Sequence, residues 1–266
     1  MRVLVTGVAG GIGRRVAALL LAADHEVLGF DRDADRLDAV PEGVETDTVD
    51  LTDESAVAEA LAGRELDAVV SAVGWYELGA IEDCSADEFR EHLESNLVAV
   101  HTVVQQLLPT LRARDGRVVI VDSMVGRVPL PYHGAYSAAK AGLAGYADAL
   151  RREVEPRGVT VSQVEPGPAR TGFNERAAEA LADRPESAYI DRYQAFGAYS
   201  PAAADPEEIA ETVCEAVEAD QPQTRYRVST RAHLLPALVA ILPDRIGDRI
   251  LRSGMPGGLL YRFIDR

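Results

Sequence analysis

Behind its first methionine the chain reads Arg2-Val3-Leu4-Val5-Thr6-Gly7-Val8-Ala9-Gly10-Gly11-Ile12-Gly13, and this stretch decides the fold. Arg2 to Thr6, apolar and β-branched after the arginine, reads as a buried strand. An amphipathic helical run follows from Ile12 to Ala23. The turn between them is rich in glycine, which lets the backbone bend sharply and lets a phosphate approach the amides closely. The start of the helix adds partial positive charge. Glycine strings are common in loops; the position of this one, after the first strand and before a helix, makes it a dinucleotide site. Gly7, Gly10, Gly11, Ile12 and Gly13 are its candidate contacts.

Asp31 closes the second strand, Glu26 to Phe30, about twenty residues beyond the glycines. There a carboxylate accepts hydrogen bonds from an adenosine ribose and repels a 2′-phosphate, which favours NAD. Arg32 and Arg14 keep NADP open, because a guanidinium pairs with that phosphate. Asp50-Leu51 follows a weaker third strand, Gly43 to Val49, and suits an adenine: carboxylate to the amino group, leucine to the ring.

Further along, strand-like and helix-like runs alternate. Thr52 to Ala62 opens on a threonine cap and reads as a helix, Leu66 to Ser71 as a strand, and Asp87 to Arg112 as one long helix. Arg117 to Val121, Ala135 to Glu155 and Val159 to Val164 read as strand, helix and strand, and Arg225 to Ser229 as a last strand. This βα rhythm predicts an α/β fold, a doubly wound parallel sheet with helices on both faces, in a single domain over residues 1–266. Gly167 to Pro201 interrupts it with scattered aromatics, as a lid or binding loop does. Residues 231–266 read as a helical extension of a core at 1–230, packed over the pocket or against another subunit.

The 266 residues carry 43 acids against 27 Lys plus Arg, a net charge of −16. So negative a surface repels phosphate backbones, so nucleic acid is excluded as a partner. It fits an adaptation to high salt or a bias towards arginine. Two cysteines, Cys84 and Cys214, cannot form a disulfide framework, and with no apolar leader the cytoplasm is the expected compartment. No run is apolar enough for stable membrane insertion. The five histidines have no ligand spacing, so no metal is expected.

Lys140 is the one lysine in the chain, and it stands four residues after Tyr136 on a predicted helix, so both share a face. An ammonium lowers a phenol from its usual value near ~10, which would let the pair move a proton to or from a substrate oxygen. A compact ammonium, kept where the rest of the chain uses arginine, supports that role. Ser123, just past the fifth strand, lies where strand ends face the ligand crevice and could donate to a developing alkoxide. Asn96 sits unfavourably inside a helix. Trp75, Tyr76, Tyr132 and His133, with Phe173, Tyr189, Tyr193, Phe196 and Tyr199, either line a pocket for an apolar alcohol or ketone or pack the lid.

Taken together, Thr6-Gly7-x-x-x-Gly11-x-Gly13, Asp50-Leu51, Asn96, Ser123, Tyr136-x-x-x-Lys140 and Pro166-Gly167-x-x-x-Thr171 give the chain a clear likeness. It resembles the compact single-domain branch of the short-chain dehydrogenase/reductase family over residues 1–230. The resemblance implies a Rossmann-like sheet of about seven strands. It also implies an oxidoreductase interconverting a secondary alcohol and a ketone with NAD or NADP, as a homodimer or homotetramer. Tyr136 would be the acid/base, Lys140 its partner and a ribose ligand, Ser123 the group orienting the substrate oxygen, and Asn96 the support of a proton-relay water. Ala72, Gly74, Pro166, Gly167, Ala169 and Thr171 would complete the cofactor contacts. The chain departs from the family in two places. Ser71-Ala72-Val73-Gly74 replaces the usual Asn-Asn-Ala-Gly, leaving Ser71 as a candidate brace for the sheet, and Asp122 stands where a second serine is common. The alternative is a non-catalytic dinucleotide sensor or scaffold, which would be expected to lose Tyr136 or Lys140.

Overall fold

The computed structural model describes residues 1–169, 173–179, 181, 184–196, 204–256 and 258. Seven strands form its sheet: β1 (Arg2–Thr6), β2 (Glu26–Asp31), β3 (Glu45–Thr48), β4 (Ala68–Ser71), β5 (Arg117–Val121), β6 (Thr160–Pro166) and β7 (Arg225–Val228). They lie in the order β3-β2-β1-β4-β5-β6-β7 and every pairing is parallel. The order reverses between β1 and β4, and the loops leaving those strands diverge there to open a crevice.

Side chains alternate across the sheet and make two cores. Val3, Val5, Val70, Val119 and Val121 face α1 (Gly11–Ala22), while Leu4, Leu28, Val69, Val118 and Ile120 face the opposite layer. After α1 the chain forms α2 (Ala34–Leu37), α3 (Glu54–Leu61), α4 (Ala86–Leu93), α5 (Ala99–Ala113) and α6 (Gly134–Val154). Val57, Leu107, Leu111, Leu143 and Leu150 from α3, α5 and α6 fill the second core. The excursion contains α7 (Phe173–Glu179) and α8 (Ile190–Phe196); α9 (Pro206–Glu218) then joins α1 on the first face through Ile209, Val213 and Val217. The tail forms α10 (Thr230–Ile241) and α11 (Asp244–Gly254).

Three details differ from the sequence reading. The cap of α3 is Asp53, whose Oδ1 accepts from the Ser55 and Ala56 amides at 2.9 and 3.1 Å, not Thr52. A carboxylate at that position also faces the positive end of the helix. The short α2, capped by Asp33, was not anticipated. Most consequentially, the single helix expected over Asp87 to Arg112 is two, α4 and α5, joined by a π-helical turn at Glu94–Val98.

The excursion is fastened to the loop after β4. Leu78 donates its amide to the Ala177 carbonyl at 2.9 Å, and the Ala80 amide donates to Tyr193 Oη at 2.8 Å. Tyr193 also donates to Asp83, and Arg184 reaches the Asp83 carbonyl at 2.7 Å and Glu88 at 2.8 Å. A third apolar cluster, including Tyr76, Leu78, Met124, Tyr193, Phe196 and Met255, lies beneath these bonds. Among the described residues no helix is long and apolar enough to cross a membrane.

Candidate active site

The crevice at the strand ends runs from the glycine turn to α6. At one end Gly7 takes φ +68°, a conformation suited to glycine, and its amide donates to the Phe30 carbonyl at 2.8 Å. A side chain here would strike the Ala72 carbonyl at 2.8 Å. Gly10, Gly11 and Ile12 line the crevice, and Gly10 caps α1 with no side-chain bond and no acid in the first turn. The helix therefore presents its own amides and its positive end to the crevice, as an anion site requires. Gly13 sits behind this surface: a Cβ there would lie 2.2 Å from the Gly7 carbonyl oxygen, so its part is to let the helix pack on the turn.

Asp31 is pinned at the end of β2, with Oδ2 accepting from the Ala9 amide at 3.1 Å and Oδ1 from the Asp33 amide at 3.2 Å. Arg32 lines the crevice beside it; Arg14 does not. Arg36, which sequence reasoning missed, lines it as well and donates to the Ala9 carbonyl at 3.0 Å. Asp50 and Leu51 are in the wall, but Asp50 Oδ1 accepts from the amide and the hydroxyl of Thr52 at 3.0 and 2.7 Å, so part of its capacity shapes its own loop. An uncapped helix end, a pinned carboxylate and an apolar slot past β3 fit a dinucleotide.

At the other end Ala72, Gly74, Ser123, Tyr136, Lys140, Pro166, Gly167 and Ala169 share one wall. Thr171 lies outside the described residues. Tyr136 and Lys140 are buried on one face of α6, with Lys140 Nζ 5.9 Å from the centre of the Tyr136 ring and donating to the Val121 carbonyl at 3.1 Å. Ser123 is hydrogen-bonded to Tyr136, and its Oγ accepts from the Val125 amide at 3.3 Å. Burial pushes the Tyr136 hydroxyl well above its ordinary value, the buried Asp122 adds to this, and the Ser123 bond works against it. This corrects the expectation that Lys140 lowers the phenol: desolvation of a wholly buried hydroxyl outweighs a cation placed over the ring. Lys140 is itself pushed down by burial, opposed by Asp122. Asp122 is pushed up to about 7 by burial, opposed by Lys140.

Asn96 lies in the π-helical turn and outside the crevice wall, fully buried. Its amide donates to the Trp75 and His92 carbonyls at 2.8 and 2.9 Å, and its oxygen accepts from the Trp75 amide at 3.1 Å. His92 supports the next step of the same loop, accepting from the Glu77 amide at 3.1 Å. The Asn96 side chain thus clamps the backbone of the loop after β4 to the π-helical turn.

The aromatics divide. Trp75, Tyr76 and His133 line the crevice, with Tyr76 stacked on Tyr136 at 4.7 Å and on His133 at 5.7 Å. Tyr132, Tyr189, Tyr193 and Phe196 are not in the wall; Tyr132 meets Phe196 edge-on at 5.3 Å and Tyr193 at 6.1 Å, packing the lid. The Phe173 side chain and Tyr199 lie outside the described residues. The wall also includes Met124, Val125, Leu130, Glu77 and Arg176, which carried no signal in the sequence.

A family model described as short chain dehydrogenase matches residues 1–182. Human 17-beta-hydroxysteroid dehydrogenase type 1 is 32% identical, over 94% of this chain and 84% of that protein. A probable short-chain type dehydrogenase/reductase, VdlC, of Helicobacter pylori is 29% identical over 94% of this chain and 96% of its own length. Among solved structures, a short-chain dehydrogenase from Streptomyces avermitilis superposes with a TM-score of 0.74 at 26% identity, covering 94% of each chain.

Proposed function

The chain belongs to the short-chain dehydrogenase family of oxidoreductases, and from that premise we propose that it interconverts a secondary alcohol and a ketone, with Tyr136 as the proton-transferring group. One observation carries the reading: Ser123, Tyr136 and Lys140 meet in a single wall, at the far end of the crevice from an uncapped helix terminus. A bound nicotinamide dinucleotide would supply the hydride acceptor or donor and, when oxidised, a positive charge beside Tyr136. The residues proposed to hold it are Gly7, Gly10, Gly11 and Ile12 at the phosphates, Asp31 at the ribose, Asp50 and Leu51 at the adenine, and Lys140, Pro166, Gly167 and Ala169 nearer the chemistry.

In the oxidising direction a substrate hydroxyl would lie between Ser123 and Tyr136. Ser123 donates to the oxygen, Tyr136 takes the proton, and Lys140 holds positive charge behind the phenol as the carbonyl forms. Reduction reverses these steps. Burial of Tyr136 keeps it protonated until a cation is placed beside it, which couples proton transfer to cofactor occupancy. Trp75, Tyr76, His133, Leu130 and Met124 make the substrate end mostly apolar, which favours a bulky or hydrophobic alcohol. Asp31 favours NAD, and Arg36, which could otherwise meet a 2′-phosphate, is turned to the Ala9 carbonyl.

The proposal has one domain, core 1–230 with extension 231–266, acting on a small molecule in the cytoplasm as a homodimer or homotetramer. Leu234, Leu238 and Ile241 on α10 offer exposed apolar surface for subunit contact, and size-exclusion chromatography tests the assembly. The test of function is Tyr136→Phe, assayed at the reduced-nicotinamide absorbance with a panel of alcohols and ketones. Turnover should fall by at least ~10²-fold with dinucleotide binding kept. Full turnover would refute the mechanism.

A further inference from the structure

The crevice wall holds a buried carboxyl that this reaction does not use. Asp122 follows β5, between Val121 and Ser123, in the same wall as Tyr136 and Lys140. It is only 3% exposed; neither carboxylate oxygen has a partner at hydrogen-bond geometry, and the neighbouring Ser123 amide stabilises its charge less than Lys140 does. Buried polar groups are nearly always satisfied, so an orphan here calls for a reason.

The charged and titratable groups around Asp122 narrow that reason. They are Lys140 and Tyr136 from α6, Glu165 from β6, and Arg127 from the turn after β5. Arg127 is committed to Glu165, at 3.0 Å, and Arg225 and Arg227 hold Glu165 from β7 at 2.7 and 3.3 Å. Lys140 is left as the counter-charge of Asp122; its ammonium has three protons, of which the Val121 carbonyl takes one.

We propose that Asp122 is a positioning residue for the proton-transferring pair: it is the buried carboxyl set between Val121, whose carbonyl holds the Lys140 ammonium at 3.1 Å, and Ser123, which is bonded to Tyr136, and it serves as the counter-charge of Lys140. This rests on the reading of Tyr136 as the acid/base. The carboxylate acts through space on both members of the pair: it favours the cation and disfavours the phenolate. Burial pushes Asp122 up to about 7, so its charge changes within the working range. Below that point Tyr136 is relieved of a neighbouring negative charge; above it, the phenol is held back.

The test compares wild type with Asp122→Asn, and with Asp122→Ser as a second variant that relieves the site of a buried amide. In wild type the pH profile of kcat for alcohol oxidation should contain an ionisation near 7 in addition to that of Tyr136. Both variants should lose it, and their acidic limb should move about one pH unit lower. The second readout needs no turnover. Trp75 is the only tryptophan and lines the crevice, so its quenching reports binding of NAD⁺ and NADH to each protein. The wild-type preference for NAD⁺, whose oxidised nicotinamide ring carries a positive charge, should rise through pH 7, and both variants should lose about tenfold of it at pH 8. Profiles and affinity ratios that superimpose on wild type in both variants would overturn the assignment. If wild type turns over no alcohol or ketone, the proposed function fails by itself, and the affinity ratio still decides for or against Asp122.

Discussion

Asp122 also makes a prediction about stability. Its carboxyl ionises near 3.8 when unfolded and near 7 in the fold, because burial penalises the charge. Between those values the folded protein binds a proton that the unfolded chain has lost. The stabilisation is therefore whole below pH 4 and is lost as the pH rises through 7. The gap is worth about 4 kcal/mol at full ionisation. Asp122→Asn removes the titration and leaves a neutral group of nearly the same shape, as poorly partnered as the protonated acid. The variant should exceed wild type by roughly 1–2 kcal/mol at pH 5, where the unfolded acid is already ionised, and by about 4 kcal/mol at pH 8. From pH 5 to pH 8 the difference grows by roughly 2–3 kcal/mol, and in a chain of this size 1 kcal/mol moves Tm by ~2–4 °C, so the gap between the two melting temperatures should widen by ~5–10 °C. Paired thermal melts followed by circular dichroism from pH 5 to pH 8.5 measure it, and titrating groups remote from Asp122 cancel in the pair. A difference that stays level across that range would refute the burial argument.

Asp31→Ser should shift the ratio of kcat/KM for NAD to that for NADP towards NADP by tenfold or more; steady-state kinetics with both cofactors checks it, and an unmoved ratio would mean that Asp31 does not meet the ribose. Gly13→Ala places a Cβ 2.2 Å from the Gly7 carbonyl oxygen, with only backbone to give way, and should cost at least ~2 kcal/mol in a denaturant melt while weakening dinucleotide binding. Gly145→Ala, in the same melt, is its opposite: α6 is open there, nothing lies within 4 Å, and the variant should gain ~0.5–1 kcal/mol. Tyr193→Phe strips the Ala80 amide and Asp83 of a partner under the lid and should cost ~1–3 kcal/mol, raising KM more than it changes kcat.

Much of this was legible in the sequence because the relevant signals are local. Alternating apolar residues such as Val3/Leu4/Val5 and Val118/Val119/Ile120 define strands buried on both faces, and parallel pairing with intervening helices leaves few topologies. Glycines at the end of β1 and an acid at the end of β2 are tied to the site by backbone geometry alone, and the four-residue spacing of Tyr136 and Lys140 fixes their shared face. What stayed hidden depends on contacts between distant segments. Trp75 and Asn96 are 21 residues apart, and no periodicity says that the asparagine will clamp the loop after β4. Tyr189, Tyr193 and Phe196 looked the same in sequence as Trp75 and Tyr76, yet they pack the lid while the other two line the crevice.

The π-helical turn joins these two kinds of information. A continuous α-helix over Asp87 to Arg112 satisfies the apolar pattern, and propensity counts Asn96 as a mild defect in it. Widening one turn at Glu94–Val98 changes the helix phase, so Ser95 and Ala99 reach the crevice wall while Asn96 turns to the backbone of Trp75. The side chain is unfavourable for the helix and favourable for the loop, where its three bonds satisfy amide and carbonyl groups that burial would otherwise leave unpaired. Trp75 leads directly into Tyr76, the ring stacked on Tyr136, so the irregularity in the helix sets the position of the aromatic wall against the proton-transferring residue. Asn96 therefore holds the loop that shapes the substrate end, whatever else its place in the motif implies.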